Sequence, residues 1–176
     1  MKIAGVLLFV LAVGIGVVCW LGVHLPLRHR AGVAINLRQT PESIYDTIAD
    51  VTDAPLWRKD VKSVELLPEE SGRARFRETG ANGVIAYRIE AAERPRRFVT
   101  FIDDASLPFD GNWTFVITPS ANGSRVEIVE EGEIRSVVFR FFAHYVFGYH
   151  RTLDGYLTAL AAKFGEAATI EHLPIQ

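Results

Sequence analysis

The chain has 176 residues, enough for one domain with a sizeable core and too few for two. Its formal net charge is −2, with 19 basic and 21 acidic residues mixed along its length and no basic block, which argues against nucleic acid as a partner. The single cysteine, Cys19, falls in an uncharged run, so the rest of the chain has neither a disulfide nor a thiol nucleophile.

That run extends from Ile3 to Val23 and holds no charged or strongly polar side chain. As a helix it would be about 31 Å long, close to the thickness of a bilayer's hydrocarbon core. A soluble core helix would show a polar face, and this one has none. A cleaved signal peptide is the alternative. Its small-x-small site would be Gly32-Val33-Ala34, beyond Arg28, His29 and Arg30, which suits cleavage badly. The expectation is an uncleaved single-pass anchor and connector over 1–30, a domain over 31–168 and a tail over 169–176. Lys2 and the α-amine precede the span while Arg28, Arg30 and Arg38 follow it, so the positive-inside rule leans towards a cytoplasmic domain.

After a connector at 24–30, Val33 to Arg38 alternates as a first strand. Thr40-Pro41-Glu42 opens a helix: a capping hydroxyl, a proline suited to the first turn, and a carboxylate at the positive dipole end. A short second helix is expected around Asp53 to Asp60. Strands follow over 61–67, 73–79, 84–91, 98–103, 113–118 and 124–134, with Gly80-Ala81-Asn82-Gly83 as one hairpin turn. Past Ser136 the period changes. Phe142, Val146, Tyr149, Leu153, Tyr156, Leu160 and Phe164 recur at steps of three and four, the stripe of one helix of roughly 28 residues. Such a helix needs a broad sheet to cover its apolar face. The pattern predicts an α+β domain in which about seven antiparallel strands wrap a long C-terminal helix.

Several segments carry a resemblance. Thr-Pro-Glu-Ser-Ile-Tyr at 40–45, Asp50, Val51, Asp53, Pro55 and Trp57, and Glu-Glu-Gly-Glu-Ile at 130–134 resemble the START-like SRPBCC superfamily. The run Phe139-Arg140-Phe141, Val146-Phe147-Gly148 and Tyr156-Leu157 with Ala159-Leu160 is similar to bacterial polyketide cyclase/dehydrase and lipid-transport members. The resemblance spans about 33–165. It implies a helix-grip fold around a hydrophobic cavity, used for lipids, sterols, polyketides or other apolar ligands. It supplies no shared catalytic motif.

Glu78 and Glu130 share strand faces with Phe76 and with Val126 and Ile128. A carboxylate among apolar groups gains a raised pKa and can act as an acid or base. It can equally orient a ligand or pair with an arginine. Trp57, Phe76, Tyr87, Phe101, Trp113, Phe115, Tyr149 and Tyr156 are expected to face the interior, either as ligand walls or as ordinary core. Val137 to Phe147 is apolar nearly all round, and burial is favoured for it over a bilayer-touching lip. His144 and His150 do not share a helix face, and no nucleophile elbow, phosphate loop or dinucleotide fingerprint is present, so neither metal nor cofactor is expected. The expected function is binding of a hydrophobic small molecule or lipid. A cyclase or dehydratase using a glutamate, and a non-catalytic interaction protein with a filled core, are the competing readings.

Overall fold

The computed structural model describes residues 2–174. The Met1 amine and the Lys2 side chain, used above for orientation, lie outside the described residues. Helix α1, Lys2–His24, has most of its apolar side chains exposed, and its last turns rest against residues 137–142. Its segment Ile3–His24 is long and apolar enough to cross a membrane.

Strand β1 is Arg28–Leu37, so it starts five residues earlier than Val33. The physical reason is that the supposed connector continues the alternation. His29, Ala31, Val33, Ile35 and Leu37 share the inner face, while Arg28 and Arg30 lie outside against Glu133 and Glu131. Helix α2, Pro41–Ala49, begins as expected, with the Ser43 N–H donating to Thr40 Oγ1 at 3.2 Å. A 3-10 turn at Val51–Asp53 leads into α3, Ala54–Trp57.

Six strands then meander: β2 Val61–Glu70, β3 Arg73–Gly80, β4 Gly83–Glu93, β5 Arg97–Ile102, β6 Phe109–Ser120 and β7 Gly123–Ile134. The sheet order is β2-β3-β4-β5-β6-β7-β1-β8, antiparallel throughout. The eighth strand, β8, is Glu171–His172, which pairs with Val33 and Ala34 and draws the expected tail onto the sheet. Strands β2 and β8 are the edges, and β2 carries Lys62, Glu65, Pro68, Glu69 and Glu70.

The long helix is broken. Helix α4 covers Val137–Phe142, a π-turn covers Ala143–Phe147, and α5 covers Arg151–Lys163. Gly148, at φ +72°, takes the backbone out of helical space between the two halves, so Phe142 and Val146 do not belong to the stripe that α5 buries. Only α5 is gripped: Leu153, Leu157 and Leu160 are wholly buried against Val33, Ile35, Ile117, Val126 and Ile128.

The antiparallel order gives the sheet two distinct ends. Where β1 starts, β7, β5 and β3 finish and β6, β4 and β2 begin. Leu25 to Leu27 join α1 to this near end, and α4 packs on α1 beside it.

Candidate functional site

Directly paired residues project from the same side of a sheet, so the registers define the inner face. Phe76 pairs with Tyr87 and Glu78 with Ile85; Tyr87 pairs with Ile102, Thr100 with Trp113, and Phe98 with Phe115. Trp113 then pairs with Glu130, and Glu130 with Ala31. Phe76, Glu78, Tyr87, Trp113, Phe115 and Glu130 therefore all look inward, beneath α5.

Phe101 does not. It pairs with Arg88 and Asn112 on the outer face, where the Arg88 guanidinium lies 4.9 Å from its ring centre. The expectation that Phe101 lines the interior is corrected by this register. Thr100, its smaller neighbour, holds the inward position.

Tyr156 of α5 is the hub of the interior. Trp57 and Trp113 meet its ring edge-on at 5.3 and 5.7 Å, Phe115 lies 5.2 Å away, and the Arg58 guanidinium sits 5.0 Å from its centre. Burial pushes its phenol well above the ordinary range. The centre of the grip is thus occupied by the chain's own aromatic side chains. Two open clefts lie elsewhere: one of about 280 Å³ beside Leu37 and Ala121, and one of about 360 Å³ between α2, Trp57 and Lys163.

Two polar foci interrupt this aromatic interior, both in the half of the sheet nearer α1. The first joins Arg58 to Glu78 at 2.8 Å and to Asp60 at 2.9 Å. Both members of the Arg58–Glu78 pair are only 14% exposed. Burial raises the Glu78 carboxyl, and the Arg58 charge pulls it back only in part. Tyr87, stacked on Phe76 at 5.1 Å, is raised first by burial and then by the Glu78 charge, with a smaller push from Glu130. The Tyr87 phenol thus senses both carboxylates.

The second focus is His29, Glu130 and Tyr149. His29 Nε2 lies 3.4 Å from Glu130 Oε1, and its ring stacks on Tyr149 at 4.7 Å. His29 is largely covered, its side chain 9% exposed. In sequence His29 reads as a membrane-flanking residue; the alternation of Ala31, Val33 and Ile35 carried back two residues would have placed it inside. Arg58 gave no such signal, because its partner lies twenty residues away on another element. Among the described residues no group of three His, Cys, Asp or Glu side chains could hold a metal ion.

The sequence profile of a family described as polyketide cyclase/dehydrase and lipid transport matches residues 28–165. No curated protein matches the chain. Among solved structures, a protein from Thermus thermophilus is 22% identical with a TM-score of 0.59, covering 77% of this chain and 95% of that one. A START superfamily protein from Mycobacterium smegmatis is 15% identical with a TM-score of 0.58, over 77% and 95%. The di-domain ARO/CYC StfQ from the steffimycin biosynthetic pathway is 13% identical with a TM-score of 0.54, over 77% of this chain and 49% of that one. At these identities the solved structures speak for the helix-grip fold.

Proposed function

The chain belongs to the polyketide cyclase/dehydrase and lipid transport family, and from that premise we propose that it binds a hydrophobic small molecule or lipid inside the grip while α1 holds it to a membrane. The observation that carries the reading is the Arg58–Glu78 pair set in an aromatic interior. An ion pair taken out of water is a poor way to stabilise a fold, since apolar residues of similar volume do as well or better. Such a pair, with the Tyr87 and Tyr156 phenols beside it, suits an apolar ligand carrying one polar group.

Tyr156 occupies the middle of the grip, so a ligand enters by displacing that ring. The π-turn and Gly148 give α5 a joint at its near end, about which it swings without carrying α4. The ligand-binding set is Trp57, Phe76, Glu78, Tyr87, Trp113, Phe115, Glu130, Tyr149 and Tyr156, with Phe101 removed and Arg58 and His29 added. The arginines that follow the span, Arg28, Arg30 and Arg38, support a domain on the cytoplasmic side.

The test is native mass spectrometry of the full chain, released from mild detergent after gentle purification. A discrete added mass that disappears on organic extraction, with a lower melting temperature for the stripped protein, is the expected result. A clean mass with no uptake of an apolar dye would shift the assignment to an interaction protein with a filled core. One observation favours an enzymatic variant of the reading: the raised carboxyl of Glu78 beside the Tyr87 phenol is suited to acid or base work on the same ligand. In that variant Glu78→Gln keeps ligand binding and abolishes turnover.

A further inference from the structure

The segment from α4 through the π-turn was expected to be buried, and it is not. Val138, Phe139, Phe142, Tyr145, Val146 and Phe147 are each more than a third exposed. A patch of this kind on a water-facing surface calls for an occupant. Its place in the fold identifies one. At Gly22 of α1, any Cβ would collide with the Val137 carbonyl oxygen, so α4 lies directly on the last turns of the apolar helix. The patch is continuous with the surface that α1 would present to lipid. Leu27, also exposed, lies at the same end of the sheet, its carbonyl accepting from the Ile134 N–H.

Arg140 breaks the pattern. It sits in the middle of this apolar segment yet is only 6% exposed, and its Nε is buried without a partner. Among the described residues no carboxylate pairs with it. A guanidinium keeps its proton in any protein environment, so an unpaired one is costly to bury. His144 of the same segment meets the Tyr149 ring at 5.9 Å, and Tyr149 stacks on His29 at the inner focus, so the segment that carries Arg140 leads from the patch to the grip.

We propose that residues 137–147 lie in the headgroup layer of the bilayer as the mouth of the grip, and that Arg140 receives the anionic headgroup, carboxylate or phosphate, of a lipid drawn in there. The inference rests on the binding reading above and names its ligand class: an anionic amphiphile. The apolar patch lowers the mouth into the lipid, the buried cation selects charge, and the aromatic interior takes the chain.

The full chain in neutral detergent micelles is titrated with oleate, with phosphatidylglycerol and with uncharged monoolein, and uptake is read by native mass spectrometry. Oleate is the carboxylate arm and phosphatidylglycerol the phosphate arm. At least one should bind ten-fold or more tighter than monoolein; Arg140→Gln should erase that preference and Arg140→Lys should keep most of it. Equal uptake of all three, or a preference untouched by Arg140→Gln, would overturn this inference alone. No uptake of any would overturn the binding reading and this inference with it. Arg140→Met in lipid-free micelles should hold or raise the melting temperature, because it removes an unpaired buried charge; a fall would make Arg140 structural and overturn its role here. Depth is read with a fluorophore at Val146→Cys in a Cys19→Ser background, in nanodiscs carrying lipid-borne quenchers. Quenching at 146 but not at an Asn122→Cys control in the far-end turn is expected, and equal exposure of both to water would overturn the embedded mouth.

Discussion

The His29 ring lies across Gly132 of the neighbouring strand, and a Cβ at 132 would overlap its Cε1. The glycine therefore makes room for an imidazole that reaches Glu130 on one side and Tyr149 on the other. Gly132→Ala should push the ring out of this position and cost about 1–3 kcal/mol by overpacking. Chemical denaturation measures the loss, and the ring proton shifts of Tyr149 report whether the stack has gone. An unchanged stack with unchanged stability would mean that the strand gives way instead.

The Arg58–Glu78 pair separates folding from ligand recognition. Arg58→Ala leaves a buried carboxylate without its cation and should cost about 3–5 kcal/mol, whereas Arg58→Met with Glu78→Leu should be close to neutral. The double variant keeps the fold and should lose affinity for a ligand that carries a polar group. If it binds such a ligand as tightly as the parent, the pair has no role in recognition.

Glu78 also sets a pH dependence. Its carboxyl is raised by burial above the ordinary value of 4.5, so the folded chain holds this proton more tightly than the unfolded chain. Stability therefore falls as pH rises from 4.5 through the raised folded value, then levels off. Relative to Glu78→Gln, which cannot ionise, the parent should lose ground across this window. Urea denaturation of both proteins from about pH 4 to about pH 7 gives the difference directly. A parent that keeps pace with Glu78→Gln, or gains on it, as pH rises contradicts the raised carboxyl.

Phe101 and Tyr156 form a matched comparison of the two sheet faces. Phe101→Ala removes an aromatic ring from the outer face, beside Arg88, and should leave ligand affinity unchanged. Tyr156→Phe keeps the packing with Trp57, Trp113 and Phe115 and removes only the hydroxyl. It should weaken a ligand with a hydrogen-bonding group by roughly three- to ten-fold, the worth of one hydrogen bond. Isothermal titration of the two variants against one ligand decides the point.

The sequence pattern is informative where structure is local and periodic. The Thr40 cap, the Pro41 start and the hairpin at 80–83 are set by residues within a turn of one another, and each stands where the pattern put it. The alternation of Phe76 and Glu78, and of Val126, Ile128 and Glu130, assigns the inner face correctly. Phe101 is misplaced by the pattern because β5 is apolar on both sides, Phe98 and Thr100 inward and Val99 and Phe101 outward, so a period of two has nothing to contrast. The C-terminal stripe fails at Gly148, where one residue's backbone angle cuts a periodicity that the side chains alone continue. Arg58, His29 and Arg140 matter through partners, or the lack of them, that only the folded chain defines.

The free edge at β2 has a bearing on how copies of the chain would meet. If α1 holds every copy at one height in a membrane, their sheets face each other side by side with edge strands already level. Confinement to a plane removes two of the rotations that would otherwise keep such edges from finding one another. An unguarded edge would then extend from copy to copy as a continuous ribbon along the membrane surface. Pro68 interrupts the ladder β2 could offer, and Lys62, Glu65, Glu69 and Glu70 surround it with charge. The opposite edge is closed by only two residues, Glu171 and His172. On the β2 side, the proline and the charges disfavour pairing with the edge of a second copy.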